Sequence, residues 1–504
     1  MFSLIRRILY LSIVSFFLLS FMGVNYSFAK ETPEATVIET NIGIQPFDYK
    51  RMISTKEENC YKVSVSTDSG TEHTGKIHIR GSASKEMGFA TQMKRLPIEL
   101  SFEQGMFFST EISNTCVKFN NVIVPSQLLA EYIAYDLFEF LGIPTPAHSF
   151  SFISYNDVDF GLFFVLEDIN EEFLEKHFSN PFGSLYKGAD KSYDQPYSYS
   201  AFFGGLSAKI DHGSERILAL LDALNCGEGY EKYLDVDEVL RFFACTAAYG
   251  GENSILTELT SYYLYDNNGK FVLLPWDNSE AFQASDTKNG IDHFRLEFWE
   301  DAPPSVLFDL LMQKEENKKL YHLYLNEINE NFLKPEILDP YFQSLASLVS
   351  PYLLRDPTIF FNTPYGLPVA PEEGVGTIGS LLLTLHEVYE NLSAQLNGSA
   401  DVFYINQAHE AIPPTEEFQE MIAYIMDHSP GVNLNITDAI CVGYTAYCRS
   451  RGINHFATGD PAEFLFAAFF FAVTVFVLIL YIRVISAKKK LTQKKKTWGE
   501  NRRC

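Results

Sequence analysis

Apolar and polar residues alternate along residues 62–66 (Lys62-Val63-Ser64-Val65-Ser66) and again along 76–80 (Lys76-Ile77-His78-Ile79-Arg80). A period of two is the signature of half-buried strands, here separated by a Gly- and Thr-rich turn. Residues 96–102 and 116–124 read as two further strands, so the chain opens with a β-rich layer. The period then lengthens. Between 126 and 141, Leu128, Leu129, Tyr132, Ile133, Leu137 and Phe140 recur at helical spacing, with Ser126 placed as the cap and Gly142 as the stop. Residues 148–153 and 160–166 predict a hairpin about Asn156-Asp157, closed by Glu167. Beyond Asp168 the pattern is mostly helical, with amphipathic stretches at 171–177, 211–225, 235–249, 304–312, 317–332, 378–395 and 415–427. The exception is residues 262–274, where aromatic and aliphatic residues alternate around Asn268-Gly269, a strong short-range hairpin signal. Strands followed by helices predict an α+β fold.

The flanks of this pattern set the domain boundaries. Residues 30–46 are polar and Thr-rich and predict an extended lead-in, with the folded domain running over 47–355. Residues 356–375 are rich in Pro, Gly and Asn and predict a hinge. A helical extension and a stalk near 454–461 complete a segment over 356–462.

Two uninterrupted apolar runs add a membrane. Residues 8–22 follow Arg6 and Arg7 and precede Ser27-Phe28-Ala29, the arrangement of a signal peptide over 1–29 cleaved after Ala29; an uncleaved anchor is the alternative. Residues 464–482 carry no charge and are long enough to cross a bilayer, predicting one transmembrane helix over 463–483. The tail at 484–504 is basic, so the C-terminus is expected in the cytoplasm and the large N-terminal portion outside the cell membrane. The net charge is −25. With bases gathered in leader and tail, residues 30–482 are more acidic still. Such a surface excludes non-specific nucleic-acid binding and suits divalent cations or basic partners.

Six cysteines fall on the exported side: Cys60, Cys116, Cys226, Cys245, Cys441 and Cys448. An even number there predicts disulfides, with the short loop Cys441–Cys448 favoured and buried free thiols as the alternative for the other four. Asn391-Leu-Ser, Asn397-Gly-Ser and Asn435-Ile-Thr are glycosylation sequons that matter only in a eukaryotic host.

Candidate chemistry gathers at four places. Pro275-Trp276-Asp277 sets a carboxylate at the exit of the hairpin at 262–274, where protein kinases hold a magnesium-binding acid. Ile79-Arg80-Gly81-Ser82-Ala83-Ser84 runs from a strand into a small-residue loop, with Lys94 opening the next strand; backbone N–H groups and a base at such a loop can receive phosphates. Glu167, at the end of the apolar strand Gly161-Leu162-Phe163-Phe164-Val165-Leu166, can pair with a phosphate-binding base, help hold a metal or cap the helix that follows. Asp235-Val236-Asp237 opens a helix that ends at Gly250-Gly251, followed by the polar loop Glu252-Asn253-Ser254.

In this order the four segments, with Leu141-Gly142-Ile143-Pro144 and Leu185-Tyr186-Lys187, resemble the spore-coat protein H (CotH) kinase family of atypical protein kinases over about residues 60–345. The resemblance implies a divergent two-lobed, kinase-like ectodomain that uses ATP with Mg2+ or Mn2+ and acts on a secreted or surface protein. It places Asp277 and Glu258 as metal ligands. Arg80, Lys94 and Glu167 fall at the nucleotide, and Asn253 or Glu252 at the position that orients the acceptor hydroxyl. The chain departs from the family at that last position, where an Asp is usual and Asn253 stands. It departs also at Thr260-Ser261, where paired Asn is frequent, and at Asn278-Ser279-Glu280, where a second acid is missing. An amide cannot accept a proton as a carboxylate can. Three readings therefore stand side by side: an exported protein kinase, a catalytically impaired pseudokinase serving as a binding or assembly module, and a surface adhesion protein.

Overall fold

The computed structural model describes residues 35–57, 59–68, 70–81, 83–90, 94–107, 112–121, 125–188, 206–250, 254–256, 260–282, 306–356, 378–398 and 436–452. It is an α+β fold built on two sheets. Seven strands close a barrel in the order β1-β2-β3-β4-β5-β7-β6: β1 (Val37–Gly43), β2 (Tyr61–Ser66), β3 (Glu72–Ile79), β4 (Ile98–Phe107), β5 (Ser113–Asn120), β6 (His148–Tyr155) and β7 (Val158–Glu167). β1 corrects the expected lead-in. It pairs parallel with β6 and antiparallel with β2, so the segment read as an extended lead-in ahead of the folded domain contains the strand that closes the barrel. Its polar residues misled because they are satisfied internally; Thr40 is buried with its hydroxyl 2.8 Å from that of Ser151.

Alternation along β6 and β7 serves two cores. Ile153, Phe163 and Val165 join Val65, Ile77, Leu100, Val117 and Phe119 inside the barrel. Their neighbours Phe150, Phe152, Leu162, Phe164 and Leu166 point outward into a second, helical core. Helix Pro125–Phe140 packs on that outer face and also against helix Val236–Tyr249. The residue foreseen as its cap, Ser126, lies inside its first turn instead. Asn156 and Asp157 both adopt left-handed backbone (φ 53° and 62°), as the tight β6–β7 turn requires.

The second sheet has the order β11-β10-β8-β9, from β8 (Leu185–Lys187), β9 (Ser207–Ile210), β10 (Tyr262–Asn267) and β11 (Lys270–Pro275). Helix Val236–Tyr249 lies against β11, its buried Glu238 accepting the Leu273 N–H at 3.0 Å. Helices Val306–Met312 and Glu315–Ile328 follow, then a π-turn at Asn329–Leu333 and helix Pro335–Arg355, a 21-residue element that the sequence pattern did not reveal. Helix Ile378–Leu396 packs on Pro125–Phe140 within the same compact unit, which extends to Gly443; a second unit begins at Tyr444.

All six described cysteines are free. Cys441 and Cys448 stand seven positions apart on one helix, Ile436–Ser450, about 10 Å along its axis, beyond the roughly 7 Å that a disulfide tolerates. Sequon residue Asn391 is buried and Asn397 exposed. Among the described residues no helix is long and apolar enough to cross a membrane. The leader at 1–29, the predicted span at 463–483, the basic tail, the stretch at 415–427 and Asn435 lie outside the described residues.

Candidate functional site

Where β3 and β5 of the barrel face the second sheet, four bases converge on a pair of aromatic rings, three of them on one indole. Trp276, immediately after β11, is buried against Tyr263 of β10, with ring centroids 5.5 Å apart and nearly perpendicular. Over Trp276 lie the Lys118 ammonium at 4.1 Å, the Lys187 ammonium at 5.4 Å and the Arg80 guanidinium at 5.6 Å; the Lys209 ammonium lies 5.4 Å from the Tyr263 ring. Each such contact is worth about 0.5–2 kcal/mol. The aromatic pair is thus a platform that holds like charges close together.

Asp168 is the anion of this group. Lys118 donates to its Oδ1, and Lys209 to Oδ1 at 2.7 Å and Oδ2 at 2.9 Å. Burial alone would raise the Asp168 pKa, but the two ammonium groups outweigh it and hold the carboxyl below its ordinary range. Lys118 moves the other way. Burial pushes its pKa down to about 8, with Lys209 and Arg80 adding repulsion and Asp168 opposing them. Two of the four bases thus share Asp168, while Glu99 stands within electrostatic range of Tyr263 and Glu131 within that of both Arg80 and Asp277.

Beside these bases stands an acidic pair. Asp277 is exposed and holds a left-handed backbone (φ 54°), a conformation unusual for a residue with a side chain and frequent where function positions it. Ser279 Oγ donates to its Oδ1 at 3.0 Å. Glu131, fully buried on helix Pro125–Phe140, accepts from Asn120 Nδ2 at 2.5 Å through Oε1, while its Oε2 has no hydrogen-bond partner among the described residues. Burial, followed by the charge of Asp277, pushes Glu131 up to about 8, against the pull of Arg80 and Asn120. Arg80 donates to Asn120 through Nη2, yet its buried Nε is also without a partner there, and so are both side-chain polar atoms of buried Asn278. Buried polar atoms are rarely left unpaired, and a cluster of them marks a place that something else occupies.

The structure brings together only part of the residue set expected from sequence. Arg80 stands at the platform and Asp277 beside Glu131. Lys94 does neither: its ammonium donates to the Phe89 carbonyl at 2.6 Å. Its neighbour Arg95 is fully buried in an ion pair with Asp356 at 2.9 Å. Glu167 is spent on structure, its Oε1 held by Lys176 and by Asn114 Nδ2 at 3.1 Å and its Oε2 by the Ala147 N–H at 3.2 Å. The adjacent Asp168 faces the bases instead. Glu252, Asn253 and Glu258 lie outside the described residues.

Lys118, Lys209 and Glu131 were not singled out from sequence, and Lys187 and Asp168 lay within family motifs without a role of their own. One signal was present: a lysine flanked by Val117 and Phe119 in β5. Glu131 and Asp277 stand within electrostatic range of one another, and carboxylate oxygens are the donors a hard cation takes. No group of three or more His, Cys, Asp or Glu able to hold a metal occurs among the described residues, so the protein would supply two carboxylates, and phosphates or water the rest.

No curated protein matched the chain at the threshold applied. The family model described as CotH kinase protein matches residues 79–365, more than half of the chain, and spans Arg80, Lys118, Glu131, Asp168, Lys187, Lys209, Trp276 and Asp277. This protein belongs to the CotH kinase family.

Proposed function

We propose that this protein is an exported, membrane-anchored atypical protein kinase that binds ATP in the cleft between the barrel and the four-stranded sheet and transfers phosphate to secreted or surface proteins. The observation that carries the reading is the convergence of Arg80, Lys118, Lys187 and Lys209 on Trp276 and Tyr263, beside Asp277 and Glu131. A polyphosphate would meet these bases, and phosphoryl transfer is catalysed chiefly by such positioning and charge stabilisation. Arg80 and Lys118 would bind and orient phosphates, with Asp168 holding Lys118 in place and Lys209 sharing that carboxylate. Asp277 and Glu131 would hold Mg2+ or Mn2+, which when bound neutralises phosphate charge. Membrane anchoring rests on the apolar run at 464–482 and export on the leader at 1–29.

Asn253, at the place the resemblance gives to the hydroxyl-orienting acid, supports a second reading in which nucleotide binds but transfer is weak. Both readings are tested on the full chain in detergent by a thermal shift with ATP, with and without Mg2+. A metal-dependent rise in unfolding temperature, lost in Asp277→Ala, is the expected result; no shift under any condition overturns both. Asn253→Asp should then raise phosphotransfer to a generic acceptor. Equal rates for parent and variant would remove the second reading.

A further inference from the structure

Helix Pro125–Phe140 carries Glu131 on one side and Asp136 on another, and Asp136 belongs to a separate buried polar group. His148, the first residue of β6, is buried with its Nε2 3.0 Å from Asp136 Oδ1 and its Nδ1 3.0 Å from the Pro146 carbonyl. A carbonyl only accepts, and an ionised carboxylate only accepts. A neutral imidazole has one N–H and would set a lone pair against one of them, whereas the imidazolium donates to both. The second oxygen of Asp136 accepts from the hydroxyl of Tyr341 on helix Pro335–Arg355. The titratable neighbours among the described residues are Tyr132, Tyr135, Asp136 and Glu139 from helix Pro125–Phe140 and Tyr341 from helix Pro335–Arg355; β7 brings the Phe164 ring at 6.1 Å and Glu167, whose Oε2 accepts the N–H of the adjacent Ala147. The Tyr132 and Tyr135 rings lie 4.7 and 5.2 Å from the imidazole, within the distance at which aromatic faces favour a cation.

We infer that His148 is a positioning residue: as an imidazolium donating to Asp136 and Pro146 it locks helix Pro125–Phe140 between β6 and helix Pro335–Arg355, and so fixes where Glu131 stands beside Arg80 and Asp277. The consequence for Glu131 rests on the functional reading above; the lock itself does not. Burial by itself would lower the His148 pKa, but the hydrogen bond and charge of Asp136 outweigh it, and the net direction is upward. A histidine whose folded pKa is raised contributes stability that is complete below its unfolded value of about 6.5 and lost as pH rises through the folded one. The helix therefore loosens on the alkaline side.

Imidazole 15N spectra and amide hydrogen exchange of the full chain between pH 6 and 9 test this. The expected result is an imidazolium spectrum persisting above pH 6.5, absent from His148→Gln, and amide protection of residues 125–140 that falls at least roughly tenfold along the same titration, the ratio that corresponds to about 1.4 kcal/mol. Asp136→Asn keeps an acceptor without its charge, and should move both titrations together to lower pH, which a purely packing role would not do. A neutral His148 at pH 6, or protection indifferent to its titration, overturns the inference. Mg-ATP affinity separates the two claims. His148→Gln should weaken it, and should weaken it no further in a Glu131→Gln background. If no nucleotide binds at any pH while the lock titrates, the functional reading alone falls; if nucleotide binds and the two substitutions act additively, the link from His148 to Glu131 falls.

Discussion

Two cation–carboxylate groups are built into the same barrel, and they are finished differently. Arg95 and Asp356 are both wholly buried and pair at 2.9 Å; Asp356 Oδ2 also accepts the Leu162 N–H at 2.8 Å, and Arg95 donates to the Leu162 carbonyl. Gly161 completes the enclosure, since a Cβ there would meet the Asp356 carboxylate at 2.7 Å. That group is closed, one charge against one, and ties the end of helix Pro335–Arg355 to β7. The group at Trp276 is open, with two bases sharing Asp168, two more over the same ring and unpaired polar atoms at Arg80, Glu131 and Asn278. Burial alone does not distinguish the two groups. The satisfaction of their polar atoms does.

Asp356→Ala is the harshest test of that contrast. It leaves Arg95 buried without its partner and should lower stability by roughly 3–5 kcal/mol, measured by urea unfolding. A loss below about 1 kcal/mol would mean that water reaches the pair and that it is not closed.

The next effect is on pH dependence. Burial pushes both Glu131 and Glu238 up to about 8. Between an unfolded value near 4.5 and 8 the folded state holds more protons than the unfolded, so stability falls as pH rises through that window and is fully present only below it. Glu238→Gln should flatten this slope by on the order of 2–4 kcal/mol across the window, with Mg2+ making no difference. Glu131→Gln should flatten it too, but there the parent's alkaline loss should shrink when Mg-ATP is added, because a cation favours the ionised carboxylate. Identical behaviour of the two glutamates would place both outside the site.

Lys118→Met removes a base from the open group, where Lys209 still pairs with Asp168. Nucleotide affinity should fall at least tenfold, about 1.4 kcal/mol, while unfolding free energy changes by roughly 1 kcal/mol or less in either direction. A large stability loss with affinity intact would make Lys118–Asp168 a second closed pair. The smallest effect belongs to Lys94→Ala, expected to change stability by about 0.5 kcal/mol or less and affinity by less than about twofold, read by calorimetric titration. Loss of binding in that variant would move the nucleotide away from Trp276 and back toward the loop after β3.

Periodicity and turn chemistry determined much of this protein: strand alternation at β2, β3, β6 and β7, the Asn-Asp and Asn-Gly hairpins, the helix bearing Leu128 to Phe140 and Asp277 at the hairpin exit, while the order of short motifs carried the resemblance to the family. These are local, and local pattern carries them. Where expectation missed, it missed by one residue or across a long loop. Glu167 was read for the place at the bases that Asp168 takes, because neighbouring residues at a strand's end point to opposite sides and only the partner sheet decides which of them it meets; Lys94 and Arg95 both turn to structural partners, the Phe89 carbonyl and Asp356. β1 looked like a polar leader because the groups satisfying Thr40 lie more than a hundred residues away. Lys118 acquires its meaning from Asp168 and Trp276, Arg95 from Asp356, and His148 from Asp136 and Tyr341. Whether a buried charge is balanced depends on what other segments bring to it, and that is settled only when the chain has folded.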